Sequence, residues 1–294
     1  KYVDKKLLDQ VQICTSVPGK VPIDPNKLNI LWQKNSWDQA NLYPWFKDKN
    51  NHKQYDWYVF NSHWNFEKFR MMFGLPLEKC VVIKNGIEKI QKAKPYEKGQ
   101  PIRIIHQNTP WRGLSVLLGA MQLVKNPLIT LDVYSSTEVY GKDFYEKNDH
   151  NYTQLYEQAK KLPNVNYLGY RPNSYITENI HKYNMYVYPS IFEETFCISL
   201  LEAMAGGLYC ITTNLGAIFE TGAEFPMYIP FDDNYKRLAS KFGYGIQAAA
   251  NTLHETQIHN HIESQSHYAN IYYNWSKIGS AWTRFLQGAI NAKK

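Results

Sequence analysis

The 294-residue sequence lacks long apolar runs and has few cysteines. No segment approaches the roughly 20 apolar residues that a membrane-spanning helix needs, and no signal peptide is evident. The four cysteines, Cys14, Cys80, Cys197 and Cys210, form no CxxC pair and have no histidine at zinc spacing, so no metal site is expected. This cysteine usage favours a reducing, cytoplasmic setting.

Dense runs of basic residues are also absent, although the net charge is +7. Lys and Arg are scattered along the chain, so we expect no nucleic-acid partner. The surplus positive charge suits an anionic partner such as a nucleoside diphosphate, and it leaves a peripheral contact with an acidic membrane open. Because the chain begins at Lys1 and not at Met, an N-terminal or targeting segment before it is also left open.

From about residue 100 onward, short apolar segments alternate with helical patterns. The predicted strands are Ile102–His106, Ile129–Tyr134, Val165–Leu168, Met185–Tyr188 and Tyr209–Thr212. The predicted helices are Leu114–Val124, Tyr152–Leu162, Ser174–Tyr183 and Cys197–Ala205. Continuous apolar strands that alternate with helices indicate a parallel sheet covered on both faces, so the predicted fold class is α/β, doubly wound.

The first 97 residues show the same alternation of strands and helices less clearly. Strands are predicted at Leu28–Trp32, Trp57–Phe60 and Cys80–Ile83, a helix at Trp64–Phe73, and a linker at Lys89–Gln100. From about Ile271 the spacing of large apolar residues predicts one amphipathic helix. We therefore predict a first domain over residues 1–97, joined by the helix 271–294, and a second domain over residues 98–270.

The segment from Tyr186 to Gly207 reads as strand, loop and helix, and the helix is predicted to start near Thr195 or Phe196. Ile198, Leu201, Glu202 and Ala205 then share one helix face, which is predicted to be buried against the sheet. A buried carboxylate is costly unless it is paired, so Glu202 is predicted to face a polar cleft beyond the carboxyl ends of the strands.

Glu194 precedes this helix, and the helix start suits a diphosphate. With the diphosphate between them, one of the carboxylates of Glu194 and Glu202 could accept hydrogen bonds from the hydroxyls of a sugar and the other from those of a ribose. On spacing alone a plainer interpretation is favoured, with Glu194 stabilised by the helix dipole and Glu202 at a partly exposed helix edge. Arg112 and Gly113 open another predicted helix and form a candidate anion site. A surface arginine in a turn is the equally weighted alternative.

The surrounding residues resemble the retaining GT-B glycosyltransferases of family 4, the glycosyl transferases group 1. Their donor domain carries a Glu-x7-Glu motif, which Glu194 and Glu202 match within Tyr-Pro-Ser…Glu-Thr-Phe…Glu-Ala-Met-Ala-x-Gly. The resemblance implies a GT-B fold: two Rossmann-like domains facing a cleft, with the acceptor-side, N-terminal one reduced or truncated. It also implies that Glu194 contacts the donor sugar and Glu202 the ribose.

The same resemblance implies further donor-site residues. The backbone of Phe196, Cys197 and Ile198 would approach the sugar and phosphates, although the family usually has Gly where Cys197 stands. Arg112 matches the basic residue of a phosphate-binding loop, with Gly113 after it. Glu194 and Arg112 are thus the expected catalytic residues.

Other positions match the family less closely. His106 stands where a second basic residue of the phosphate-binding loop is usual. Tyr170 and Arg171 are candidates for the nucleobase site, and ordinary packing is an equal alternative for Tyr170. A further stretch resembles one that often holds His near the reacting sugar in relatives. There Lys34 takes the position of that His, and the weak acceptor or cleft candidates are Lys34, Asn35 and Asp38.

The resemblance thus implies metal-independent, retaining transfer of a sugar from a UDP-, GDP- or ADP-sugar to a hydroxyl of a glycan, lipid or protein, with no further cofactor. Two alternatives stay open. One is a catalytically silent sugar-nucleotide-binding or scaffold protein with this fold, which the short first domain suggests. The other is a sugar-nucleotide epimerase, because a fold does not fix a function.

Overall fold

The computed structural model describes residues 1–293 and divides them into two compact α/β units. The first unit contains Lys1–Glu88, Glu194–Cys197 and the chain from Ile271 onward, and the second contains Lys89–Glu193 and Ile198–Asn270. This division falls earlier than the predicted boundary near residue 97. Residues of the predicted linker instead pack with the second unit, since the Ala93 amide donates to the Gly206 carbonyl at 2.8 Å.

The secondary structure of residues 1–293 consists of parallel strands, α-helices and short 3-10 turns. The strands are β1 (Val11–Thr15), β2 (Leu28–Gln33), β3 (Trp57–Phe60), β4 (Cys80–Val82), β5 (Ile102–His106), β6 (Ile129–Val133), β7 (Val165–Tyr167), β8 (Met185–Tyr188), β9 (Tyr209–Thr213) and β10 (Met227–Ile229). The α-helices are α1 (Lys5–Leu8), α2 (Tyr43–Lys47), α3 (His63–Phe73), α4 (Leu114–Leu123), α5 (Lys142–Asn148), α6 (Thr153–Lys161), α7 (Asn173–Asn179), α8 (Ile198–Ala205), α9 (Ile218–Gly222), α10 (Tyr235–Thr252), α11 (Thr256–Tyr272) and α12 (Trp275–Lys293).

The first unit is built on a parallel sheet of order β1-β2-β3-β4. Ile30 and Leu31 in β2 are both completely buried, because neighbouring residues of a strand point to opposite faces and both faces are covered. Trp282 and Leu286 of α12 belong to the core on one face. Phe69 of α3 belongs to the aromatic core on the other.

The second unit is built on a parallel sheet of order β10-β9-β8-β5-β6-β7. Strand β5 is central, with Ile104 beside Met185 of β8 on one side and Leu131 of β6 on the other. Helices α4 and α10 contribute to its main core, as Leu117 and Phe242 show. The chain order reverses between β5 and β8, which makes that junction a topological switch point.

A buried carboxylate lies within the second sheet. Asp132 of β6 accepts from the Arg103 guanidinium, the Tyr183 hydroxyl and the Asn166 amide, each at 2.8 Å. The side chain of Asp132 is only 6% exposed, so these three donors replace the water that the charge loses.

The α/β class with parallel sheets is confirmed, and the predicted strands and helices form within a few residues of their expected ends. Two expectations about helices are corrected. The predicted single tail helix is interrupted, since α11 ends at Tyr272 and α12 begins at Trp275. Helix α8 begins at Ile198, later than predicted, and Ile198 is 41% exposed rather than buried, because it lies at the first turn and not within the packed stripe.

A glycine substitution tests the packing at the start of α12. A Cβ added to Gly86 would lie 2.7 Å from Trp275 Cδ2 and 3.1 Å from its Cα, closer than packed carbons approach. We expect Gly86→Ala to lower the free energy of unfolding by about 1–3 kcal/mol, measured by urea titration. Gly288→Ala, on α12 with nothing within 4 Å, is the control and should leave stability equal or slightly higher. Equal stability of Gly86→Ala and wild type would contradict the packing.

Candidate active site

The candidate site lies at the carboxyl edge of the second sheet, where the loops that follow β5 and β8 meet. Ligands of open α/β sheets bind beyond the carboxyl ends of the strands at a switch point. The loop after β5 carries Gln107 to Gly113, and the loop after β8 leads from Pro189 to Glu193. Both loops belong to one unit, and the sheet order brings them side by side.

Gly113 is the point of contact between the two loops. Its φ of 120° is a conformation that side-chain-bearing residues rarely adopt. A Cβ at this position would overlap the carbonyl oxygen of Pro189 and lie 2.9 Å from its carbonyl carbon. The turn from β5 into α4 therefore requires glycine for two separate reasons.

Arg112 directly precedes this glycine and is half-buried. Its guanidinium lies 4.5 Å from the centroid of the Phe192 ring, and one amino group donates to the Tyr140 hydroxyl at 3.5 Å, a weak hydrogen bond. A guanidinium that stacks on a ring keeps its edge available for hydrogen bonds to an anion. The structure thus places a fixed cation beside the loop contact of Gly113.

Glu202 is buried in α8, the helix that follows the β8 loop, with 5% of its surface exposed. The Asn173 amide donates to one carboxylate oxygen at 2.9 Å, and the Gln107 amide lies 3.5 Å from the other. Burial raises the pKa of Glu202 to about 7, and the Asn173 hydrogen bond opposes part of that shift. The side chain can therefore change its charge near neutral pH, as groups at functional sites often do.

A polar network connects the two loops beneath these residues. The Tyr186 hydroxyl donates to the side-chain oxygen Oδ1 of Asn108 at 3.0 Å and lies 2.9 Å from the Ser199 hydroxyl. The Asn108 amide donates to the same Ser199 hydroxyl at 2.9 Å. These contacts fix the first turn of α8 against the β5 loop, so the helix start has a defined position.

Four residues of this site, Gln107, Asn108, Asn173 and Ser199, were not predicted from the sequence. The signal available for Gln107 and Asn108 was their position directly after a buried strand, where polar residues often serve a site. No comparable local signal marks Asn173. It is the first residue of α7, the helix that follows β7, and it meets Glu202 only in the folded unit.

His106 is the last residue of β5 and is completely buried. Its Nδ1 atom lies 3.3 Å from the Val187 carbonyl oxygen, and its Nε2 atom has no hydrogen-bond partner among residues 1–293. Burial lowers the pKa of His106 to about 4, so the ring is neutral at physiological pH. It therefore adds no positive charge beside Arg112, and its role in donor binding stays a prediction.

Tyr170 and Arg171 follow β7, the edge strand of the second sheet. The Arg171 guanidinium donates to the Tyr170 carbonyl at 2.8 Å and lies 5.9 Å from the centroid of the Tyr175 ring. Arg171 is exposed, and Tyr170 is partly exposed. Both side chains are thus accessible at the carboxyl edge, and their assignment to the nucleobase stays a prediction.

The segment Glu194–Cys197 belongs to the first unit. Glu194 and Cys197 are 4% and 2% exposed, and the Phe196 ring lies 6.0 Å from the Tyr273 ring. The Thr195 hydroxyl donates to the Lys34 carbonyl at 2.7 Å and accepts from the Asn61 amide at 3.2 Å. This segment is therefore held by the ends of β2 and β3, while Ile198 and Glu202 belong to the second unit.

The predicted cleft residues of the first unit differ in their surroundings. The Lys34 ammonium lies 3.9 Å from the centroid of the Trp32 ring, and partial burial lowers its pKa. The Asn35 amide donates to the Gln33 side chain at 3.1 Å. Asp38 is exposed. Their assignment to the acceptor stays a prediction.

Two kinds of feature are absent from the part of the chain that the structure describes. Within residues 1–293, no group of three or more His, Cys, Asp or Glu side chains is arranged to hold a metal ion. Over the same residues, every helix is too short or too polar to cross a membrane.

A comparison with protein families assigns the region that contains most of these residues. The sequence model of the family "Glycosyl transferases group 1" matches residues 86–226. This region is a glycosyltransferase group 1 domain. It includes Arg112, Gly113, Glu194 and Glu202, and it supports a glycosyltransferase function. No curated protein sequence matches the chain at a significant level.

Solved structures share the fold of this chain over most of its length. A glycosyltransferase from Rickettsia africae aligns with a TM-score of 0.68 and 15% identity, over 90% of this chain and 71% of its own. The sucrose-phosphate synthase of Thermosynechococcus elongatus aligns with a TM-score of 0.68 and 16% identity, over 91% and 69%. Anabaena HepE in complex with UDP aligns with a TM-score of 0.67 and 16% identity, over 89% and 72%. At such low identity these similarities establish the GT-B fold.

The loop contact in the glycosyltransferase domain predicts a strong effect of Gly113→Ala. The new Cβ would overlap the Pro189 carbonyl oxygen at a positive φ, so we expect a loss of roughly 2–4 kcal/mol in unfolding free energy. Gly141→Ala is the matched control, since Gly141 has a φ of 95° but nothing within 4 Å. Chemical denaturation of both variants measures the difference, and equal losses would show that the contact is unimportant.

The pKa of Glu202 predicts how stability depends on pH. Because its folded-state pKa of about 7 exceeds the ordinary value of 4.5, the folded protein binds more protons between these limits. The unfolding free energy contributed by Glu202 therefore falls as pH rises through this range. We expect the unfolding free energy of Glu202→Gln to equal that of wild type near pH 4.5 and to be about 2–3 kcal/mol higher at pH 8. Urea titrations at both pH values measure this, with the exposed Glu178→Gln as control. A pH-independent difference would refute the assignment.

Proposed function

We propose that the protein is a glycosyltransferase that moves a sugar from a nucleoside diphosphate sugar to an acceptor hydroxyl. The observation that carries the proposal is the meeting of Arg112, Gly113 and the start of α8 at the switch point of a glycosyltransferase group 1 domain. A fixed guanidinium and the amides at a helix start both suit a diphosphate. The diphosphate is the leaving group of the reaction, so the same contacts stabilise its developing charge.

Glu202 supplies the second part of the donor site. Its carboxylate accepts hydrogen bonds from vicinal hydroxyls, which matches a ribose. Ribose hydroxyls that donate to Glu202 favour the ionised form and so oppose the rise that burial causes in its pKa. The Asn173 amide orients one carboxylate oxygen and leaves lone pairs for the ligand. We assign Glu202 to donor binding rather than to proton transfer.

The finer features of the reaction follow from the resemblance and are proposals. Glu194 contacts the hydroxyls of the donor sugar, and the transfer retains the anomeric configuration without a metal ion. We further propose a uridine diphosphate sugar as donor, because structures of Anabaena HepE, which shares the fold, contain UDP or UDP-glucose. Orientation of donor and acceptor then provides much of the rate enhancement.

Binding of UDP tests the donor site directly. We expect Arg112→Ala to raise the Kd for UDP at least about tenfold, because a charge-assisted hydrogen bond contributes about 1.5–3 kcal/mol. Isothermal titration calorimetry at fixed salt provides the measurement. Lys125→Ala removes the same charge from an exposed residue near the opposite ends of the strands and should leave the Kd unchanged. Equal losses in both variants would point to general electrostatics, and failure of wild type to bind UDP, GDP or ADP would refute the donor site.

A further inference from the structure

An exposed aromatic cluster lies on the second unit beside Arg112. Trp111 lies 5.8 Å from Tyr140 with an interplanar angle of 22°, and Phe144 lies 5.2 Å from Tyr140 and 6.3 Å from Trp111. These distances join ring centroids, so each of the three rings contacts the other two. We call Trp111, Tyr140 and Phe144 the aromatic patch.

The patch is open to solvent to an unusual degree. Tyr140 is 51% exposed and Phe144 is 39% exposed, and the neighbouring Val139 is 54% exposed. Large side chains that contact one another normally bury their faces in a core, whereas adjacent exposed apolar groups mark interaction surfaces. Trp111, only partly exposed, supports Tyr140 from one side and leaves the rest of that ring accessible.

The charges around the patch indicate the kind of partner it fits. Helix α5, which carries Phe144, has two basic and two acidic residues, Lys142, Asp143, Glu146 and Lys147. Lys142 and Glu146 lie 3.7 Å apart and neutralise each other. Anionic bilayers and nucleic acids are attracted by clusters of positive charge, whereas α5 is balanced and Arg112 adds a single guanidinium beside Tyr140. An uncharged ligand fits this balance.

Polar groups at the margin of the aromatic patch indicate which class of uncharged ligand it binds. The Tyr140 hydroxyl accepts from the Arg112 guanidinium, so hydrogen-bonding groups lie directly beside the flat ring faces. A pyranose ring has the complementary surface, an apolar C–H face that packs on an aromatic ring and an equatorial edge of hydroxyls. We propose that the aromatic patch binds the sugar chain of an uncharged oligosaccharide acceptor. The inference rests on the proposed function, because that function requires a second, hydroxyl-bearing ligand beside the sugar nucleotide.

The proposal is tested by titrating protein with maltohexaose, cellohexaose, chitohexaose and mannohexaose, each alone, with calorimetric detection. We expect at least one hexasaccharide to bind wild type and the double variant Tyr140→Ala/Phe144→Ala to weaken that binding at least tenfold. Tyr244→Ala is the control, since Tyr244 is 74% exposed on α10 of the same unit. Wild type and Tyr244→Ala should bind UDP with equal Kd, and the double variant should still bind UDP although it lacks the weak contact between Tyr140 and Arg112. UDP binding by wild type thus separates a failure of this proposal from a failure of the donor site.

Three outcomes would overturn the proposal. The first is that no hexasaccharide binds wild type although UDP does, and the second is that the double variant binds as well as Tyr244→Ala. The third is that the double variant instead changes the oligomeric state in sedimentation velocity, which would identify a second copy of the chain as the partner. If the double variant unfolds at a lower temperature than wild type, Tyr140→Ala alone replaces it under the same criteria.

Discussion

The backbone contact between Gly113 and the Pro189 carbonyl positions the candidate site. It joins the loops that follow β5 and β8, and these loops carry or support Arg112, Phe192 and the start of α8. A side chain at this contact would separate the loops and displace the guanidinium from the helix start. The parallel sheet supplies the neighbouring strand ends, but their close approach requires a residue without Cβ.

Much of the second sheet was predictable, because its strands are buried on both faces and therefore read as continuous apolar runs. Strands β5 and β8 begin and end where the sequence indicates. Strands β1 and β10 were not predicted, because Gln12 and Thr15 interrupt the apolar pattern of β1 and β10 has only three residues. These strands are stabilised by pairing with β2 and β9, and such long-range contacts leave little trace in a local sequence window.

Only part of the candidate site was predictable. Arg112 and Glu202 stand out because a charged residue beside a helix start or within an apolar stripe is locally unusual. The partners of Glu202 do not stand out, since Asn173 precedes it by twenty-nine positions and meets it only through the folded sheet. The loss of charge on His106 depends likewise on complete burial between strands, which the residue type does not reveal.

The hydrogen-bond network of Asp132 has an evolutionary consequence. Arg103, Asn166 and Tyr183 donate to one carboxylate from three different segments of the chain. Loss of the carboxylate would leave a guanidinium and two polar groups without their acceptor, and loss of a donor would leave part of the buried charge unsatisfied. A lineage can therefore change these four positions readily only in concert, and divergent sequences with this fold should either retain the whole set or replace it together.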